Sequence, residues 1–327
     1  MRLAAGLWFV GCLMIHTEDL TKHFDSFVAV DGVNLDIPDG RVLVLLGPNG
    51  AGKTTTVRML TSVLVPTRGK AIVAGYNVVE QPDKVRASVG VLTEHHGLYN
   101  RMSAEEYLDF YAQLYGLKGE VKKRRVDRLL EEFGLFDDRQ RRLGEYSKGM
   151  RQKLALVRAL MHVPPVLLLD EPTSAMDPES ARMVRDAIRQ LRSNDRTIIL
   201  CTHNLTEAEE LADQIAIIRH GHILMNDTAE NLKLTLLGPA EYEARLANRV
   251  NGWKADLPSG VQLTEQGDDW LRFRIDSPDI TNPVLLQLLI SSQLQVISFQ
   301  PVHRSLEAAY LEAVGRAAAE EDHVRTN

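Results

Sequence analysis

The sequence predicts an α/β fold: a mostly parallel core sheet, an antiparallel β subdomain, a helical insertion, and a small C-terminal α+β domain. Two apolar runs carry the parallel sheet, because each leads from a strand into a helix. Val42, Leu43, Val44, Leu45 and Leu46 pass through a glycine-rich loop into the helical pattern of 54–64, and residues 166–169 end in Asp170 and Glu171 before a pattern reaching 190. Residues 166–169 are apolar on both faces, as a central parallel strand must be. The third observation is the turn-rich stretch 15–41, whose short strands mark an antiparallel layer ahead of the loop.

With 327 residues the chain has room for one large domain and a smaller one. Residues 1–13 read as an N-terminal extension. The apolar stretch 3–15 is broken by glycines and falls short of the roughly 20 residues that a membrane-spanning helix needs. Two readings of it are open: a weak signal-peptide core ending near Cys12, a lipid attachment site, or an upstream segment before a second start at Met14. The second is preferred, because a strand pattern begins directly after Met14.

From there the elements follow in order. Strands are expected at 15–20, 27–30 and 33–37, then a turn at Pro38, Asp39 and Gly40, the strand Val42–Leu46, and a helix with Val57, Leu60 and Leu64 on one face. A turn at 66–69 leads to a strand at 70–74. A helical insertion spans about 96–160; Ser103 and Glu106 form a capping box, and Tyr107, Phe110, Tyr111 and Leu114 continue the period. Met150, Leu154, Val157 and Met161 line a further helix, which Pro164 and Pro165 end. A strand at 197–202 stops at His203, a helix capped by Asn204 or Thr206 follows, and 215–218 with His220 and Gly221 suggests a last hairpin. Gly238 and Pro239 read as the boundary between a first domain, 14–237, and an accessory domain, 238–327. In the latter, alternation at Leu271, Phe273 and Ile275, a helical pattern at 283–289, a strand-like stretch at 294–299 and a helix capped by Ser305 give a small mixed fold.

Net charge of −6 provides no general attraction to nucleic acid, and the basic stretches 118–128 and 139–142 read as solvated helix faces. Two cysteines, far apart, make no disulfide framework.

The chemistry concentrates in three phrases. Gly47, Pro48, Asn49, Gly50, Ala51, Gly52, Lys53, Thr54 and then Thr55 join a strand to a helix. Glycines there let backbone N–H groups converge on phosphate oxygens at the positive end of the helix dipole. Lys53 is expected to reach the β- and γ-phosphates, and the Thr54 hydroxyl to ligate Mg²⁺. Asp170 and Glu171 emerge at the ligand edge of the sheet, the first to hold Mg²⁺ through its water shell, the second to orient the attacking water. His203, at another strand end, is placed to donate a hydrogen bond to the γ-phosphate. Ser147 and Gly149 open a second anion-binding helix start, which one subunit cannot readily bring to the same phosphate. Two copies packed head to tail can, with ATP between them.

This series of motifs, over about 15–227, resembles the ATP-binding subunit of an ABC transporter, a P-loop NTPase. The resemblance implies that 47–54 is the Walker A motif, Asp170 and Glu171 the Walker B pair with its catalytic glutamate, 147–152 the signature, 174–177 the D-loop at the dimer seam, and His203 the switch histidine. It also implies that Phe24 stacks on adenine. Where the family has glutamine after the strand Val89–Leu92, this chain has Thr93 and Glu94, and the resemblance puts Glu94 near Mg²⁺ or water. The signature departs from the usual Leu-Ser-Gly-Gly-Gln at Lys148 and Met150. Residues 97–103, the tail domain and its closing helix resemble the exporter branch that handles drugs, lipids, polysaccharides or ions.

The expected protein is therefore a homodimeric ATPase on the cytoplasmic face of the membrane, powering a separately encoded integral-membrane permease, with no nucleic acid partner. One alternative is a soluble ABC ATPase acting on ribosomes or DNA. Relatives of those kinds carry two such domains in one chain or a long coiled coil, and this chain has neither pattern. The other is a non-catalytic module whose tail does the binding.

Overall fold

A computed structural model describes residues 13–93, 97–192, 196–250, 252–302 and 304–326. Strands β1 (Leu13–Phe24) and β2 (Phe27–Pro38) form a long antiparallel pair that turns at Asp25 and Ser26. The two short strands expected in 27–37 are one. Gly32, at φ +61°, and register shifts opposite it bend the strand without ending it.

Next come β3 (Val42–Leu46), α1 (Lys53–Leu60), β4 (Arg68–Val73), β5 (Tyr76–Asn77), α2 (Pro82–Ser88) and β6 (Val89–Leu92). Helix α1 stops short of Leu64, because Ser62 adopts the left-handed conformation at φ +56°. The insertion contributes α3 (Ala104–Leu114), α4 (Gly119–Glu132) and α5 (Lys148–Leu160). Its capping box is present: the Glu106 N–H donates to Ser103 Oγ at 3.2 Å, and the Ser103 N–H to Glu106 Oε2 at 2.8 Å. The chain returns through β7 (Val166–Asp170), α6 (Pro178–Gln190), β8 (Thr197–Thr202), α7 (Leu205–Leu211) and the hairpin β9 (Gln214–Arg219) and β10 (His222–Asp227).

Two sheets result. The antiparallel layer runs β2-β1-β4-β5, and the core sheet runs β10-β9-β3-β8-β7-β6, parallel except for β10. Every residue of β3, β7 and β8 is buried. Strand β8 lies between β3 and β7, with Leu46 opposite Thr202 and Cys201 opposite Asp170. The glycine loop, His203 and the two carboxylates therefore leave neighbouring strands at the same edge, about 5 Å apart per strand. One apolar core joins the layers: Ile15, Leu35 and Ile37 of the antiparallel sheet, Val57 and Leu60 of α1, and Leu43 and Leu45 of β3. Burying each such side chain is worth about 1.5–3 kcal/mol, which makes the edge a rigid support.

Contacts divide the chain after Ala229. Helix α8 (Ala229–Leu237), which the reading of 238 as a boundary attaches to the first domain, groups with the second unit. Its last carbonyls are held from there: Arg316 donates to Leu236 O at 3.1 Å, and Arg304 to Leu237 O at 2.9 Å and Gly238 O at 2.6 Å. This unit contains β11 (Ala240–Leu246), β12 (Val261–Gln266), β13 (Trp270–Ile275), α9 (Pro278–Ser291), β14 (Val296–Pro301) and α10 (Leu306–Thr326). Its antiparallel sheet, ordered β12-β13-β11-β14, packs Ala244, Leu271 and Phe273 with Leu285 and Leu289 of α9. Alternate positions carry an ion ladder, with Arg272 at 3.0 Å from Glu243 and 2.7 Å from Glu265, and Arg274 at 3.1 Å from Glu241.

Candidate functional site

The loop after β3 is shaped first by the protein's own backbone. A Cβ on Gly47 would sit 2.2 Å from the Ile218 carbonyl of β9, and one on Gly52, at φ +108°, 2.6 Å from the Ala29 carbonyl. Gly50, at φ +80°, faces open space with nothing within 4 Å. Of the three glycines, Gly50 is the one where an added Cβ would meet nothing; Gly47 and Gly52 are required by close approach of neighbouring backbone.

Beneath the loop, Lys53 is buried and donates to the carbonyls of Gly47 at 2.7 Å and Pro48 at 3.1 Å. Its ammonium also lies 3.2 Å from Glu171 Oε1. The other Glu171 oxygen is 2.8 Å from His203 Nδ1. Across from them the Thr54 hydroxyl donates to Asp170 Oδ2 at 2.8 Å, joining residues 116 positions apart in sequence. Glu171 holds φ +50°, a left-handed conformation for a residue with a Cβ, which costs about 1–3 kcal/mol and persists only where its surroundings impose it. Here the Glu171 N–H donates to Cys201 O at 2.9 Å and the Ser174 N–H to Glu171 O at 3.2 Å. Burial, then the nearby Asp170 charge, pushes the Cys201 thiol well up, so it stays a neutral core group.

A cleft of about 260 Å³ opens over this constellation. Asn49, Gly50, Ala51, Gly52, Lys53, Thr54 and Thr55 line it, together with Glu171 and His203. Gly47 and Pro48 act behind it through their carbonyls, and Asp170 reaches it through Thr54. Phe24 is not in the wall. It pairs with Phe27 at the β1–β2 turn, under the Lys22 ammonium at 5.3 Å from the ring centroid, and Phe27 lines the cleft in its place. An aromatic three positions further on was the available signal; only the hairpin's fold over the loop distinguishes the two rings. Glu94 lies outside the described residues.

Ser147 and Gly149 also stand outside this cleft. Ser147 caps α5, its hydroxyl accepting from the Met150 N–H at 3.2 Å. A Cβ on Gly149 would meet Ser180 Oγ at 3.2 Å, so the start of α5 packs tightly on that of α6. Lys148 donates to the carbonyls of Ser174 at 2.9 Å and Ala175 at 2.7 Å, fastening the helix start to a loop whose Ser174 lines the cleft. At the end of that loop Asp177 caps α6, and the Ser180 backbone N–H it accepts holds its carboxyl below the ordinary value.

A buried lysine beneath a glycine loop, a threonine hydroxyl on a strand-end aspartate and a glutamate beside both define a nucleoside-triphosphate site of the P-loop class. Comparisons with known proteins narrow the class. The ABC transporter family model matches residues 30–174. The daunorubicin/doxorubicin resistance ATP-binding protein DrrA of Streptomyces peucetius is 36% identical over 309 residues, 93% of this chain and 93% of that protein. The ABC transporter ATP-binding protein NatA of Bacillus subtilis is 40% identical over 224 residues, 67% of this chain and 91% of that one. Among solved structures, an ATP-binding subunit of an ABC transporter superposes with a TM-score of 0.62 at 28% identity, over 69% of this chain and 94% of that chain. A dimeric ATP-binding cassette bound to ADP and Pi, at 23% identity and a TM-score of 0.59, shares the fold. The chain belongs to the ABC transporter family, as an ATP-binding and ATP-hydrolysing subunit that powers transport.

Proposed function

We propose that two copies of this chain, packed head to tail, bind and hydrolyse ATP on the cytoplasmic face of a separately encoded integral-membrane permease and drive export. One observation carries this reading: Lys53, Glu171 and His203 meet at one cleft, while Ser147 and Gly149, the second anion-binding helix start, stand outside it in the same chain. Among the described residues no helix is long and apolar enough to cross a membrane. The resistance named for the DrrA relative, matched over 93% of this chain, supports an exported drug or similarly amphipathic molecule.

In this reading Lys53 leaves the Gly47 and Pro48 carbonyls for the β- and γ-phosphates, and the loop amides and α1 dipole complete the anion site. Glu171 orients the attacking water and accepts its proton, and His203, fixed on Glu171, hydrogen-bonds the terminal phosphate. The Thr54 hydroxyl and Asp170 carboxylate are hard oxygen donors already in contact, which suits Mg²⁺. Glu94 remains the further candidate beside them. When bound, Mg²⁺ would neutralise phosphate charge.

Ser147→Arg tests the head-to-tail assembly. Monomeric protein should bind ATP as before, while turnover falls on the order of 10²-fold, as when one donor to a developing anion is removed. Unchanged turnover in that variant would remove the paired-site model.

The adenine wall is tested separately. Phe27→Ala should weaken ATP binding about tenfold, from loss of base stacking worth about 1–3 kcal/mol, with Phe24→Ala changing it less than about twofold. The reverse order, by calorimetric titration, would return the stacking role to Phe24.

A further inference from the structure

Glu207 occupies the third position of α7, where a glutamate ordinarily turns back to the N-cap amide, as Glu106 does toward Ser103. Here the Asn204 N–H donates to the Thr202 hydroxyl at 3.0 Å instead, and Glu207 turns inward until none of it is exposed. Its Oε1 accepts from the Thr173 hydroxyl at 3.1 Å, and Oε2 has no partner among the described residues. The Glu207 N–H donates to Asn204 Oδ1 at 3.2 Å, so the residue is also fastened to the chain just past His203.

A full negative charge in such a place is costly unless it is paired. Burial above all raises the pKa, and the Glu171 charge adds to it, against the two threonine hydroxyls and the Arg185 guanidinium of α6. Arg185 is itself engaged with Glu210 at 3.0 Å.

The partners give the carboxyl its significance. Thr173 follows Glu171 by two residues, and Asn204 immediately follows His203. We propose that Glu207 is a positioning residue for ATP hydrolysis: its buried carboxyl on Thr173 ties the turn after Glu171 to the helix start that follows His203 and keeps that pair aligned on the cleft. The tie also helps impose the left-handed backbone of Glu171, which its own preference would not select. The inference rests on the assignment of Glu171 and His203 to hydrolysis.

Steady-state hydrolysis by the full chain tests it. Glu207→Ala should lower kcat about 10- to 100-fold with the KM for ATP within about twofold, the size expected from a small displacement of a reacting group. Glu207→Gln, isosteric with the carboxyl and able to keep the Thr173 bond, should retain at least about half of kcat. Thr173→Val should match Glu207→Ala, and it carries the same readout if the alanine variant does not fold. A lowered melting temperature with normal kcat per folded molecule in both Glu207→Ala and Thr173→Val would make the role structural only and overturn the proposal. A Glu207→Gln variant as slow as the alanine form would overturn it equally. Glu171→Gln, measured alongside, separates the failures. Full turnover there removes the underlying assignment, whereas an inactive Glu171→Gln beside a normal Glu207→Ala removes only the role of Glu207.

Discussion

Glu171→Gln should bind ATP and then stop, with turnover reduced about 10²- to 10⁴-fold, the contribution expected of a positioned general base. The substitution keeps the shape of the side chain and its reach to His203, now 2.8 Å from Oε2, but replaces the basic oxygen with an amide. It also removes the negative charge 3.2 Å from the Lys53 ammonium, leaving that cation to the Gly47 and Pro48 carbonyls and to any phosphate bound above it. Nucleotide affinity should therefore hold or rise, and ATP-bound dimer should accumulate. Phosphate release and light scattering in ATP read the two effects. Normal hydrolysis would show that Glu171 is not the base.

Gly47→Ala should unfold or badly destabilise the protein, by about 3 kcal/mol, the upper range for overpacking a rigid site. The added Cβ would fall 2.2 Å from the Ile218 carbonyl, and that oxygen belongs to a strand paired with β3 and buried around it. Neither strand can yield without disturbing the parallel ladder. Gly50→Ala is the control: its Cβ meets nothing within 4 Å, and the cost should be about 1–2 kcal/mol for holding φ +80° with a side chain. Urea unfolding of the two variants without nucleotide distinguishes them. Equal losses would mean that both glycines serve backbone conformation alone.

Much of the site could be read along the chain because its signals are local. Strands β3 and β7 are short runs of apolar residues and have no amphipathic alternative; the caps at Ser103 and Asn204 depend on residues three positions away. The glycine loop between strand and helix gives Lys53 and Thr54 their places for the same reason. Other features are invisible in one dimension. The end of α1 at Leu60 is set by a left-handed Ser62, which no residue in 54–64 announces. Helix α8 follows its Arg304 and Arg316 partners, far along the chain, and not the nearby Gly238 and Pro239.

The amino-acid order by itself determined the phosphate loop, the strand-end carboxylates, the histidine and hence the family, because each is fixed by residue type within a few positions. Folding decided the rest. The β3-β8-β7 register brings Thr54 to Asp170 and His203 to Glu171, the β1–β2 turn puts Phe27 instead of Phe24 in the cleft wall, and close backbone approach rather than phosphate makes Gly47 a glycine. Burial turns the Glu207 side chain away from helix capping and onto Thr173, in the turn after Glu171. These outcomes depend on distances between segments remote in sequence, and only a packed core fixes such distances.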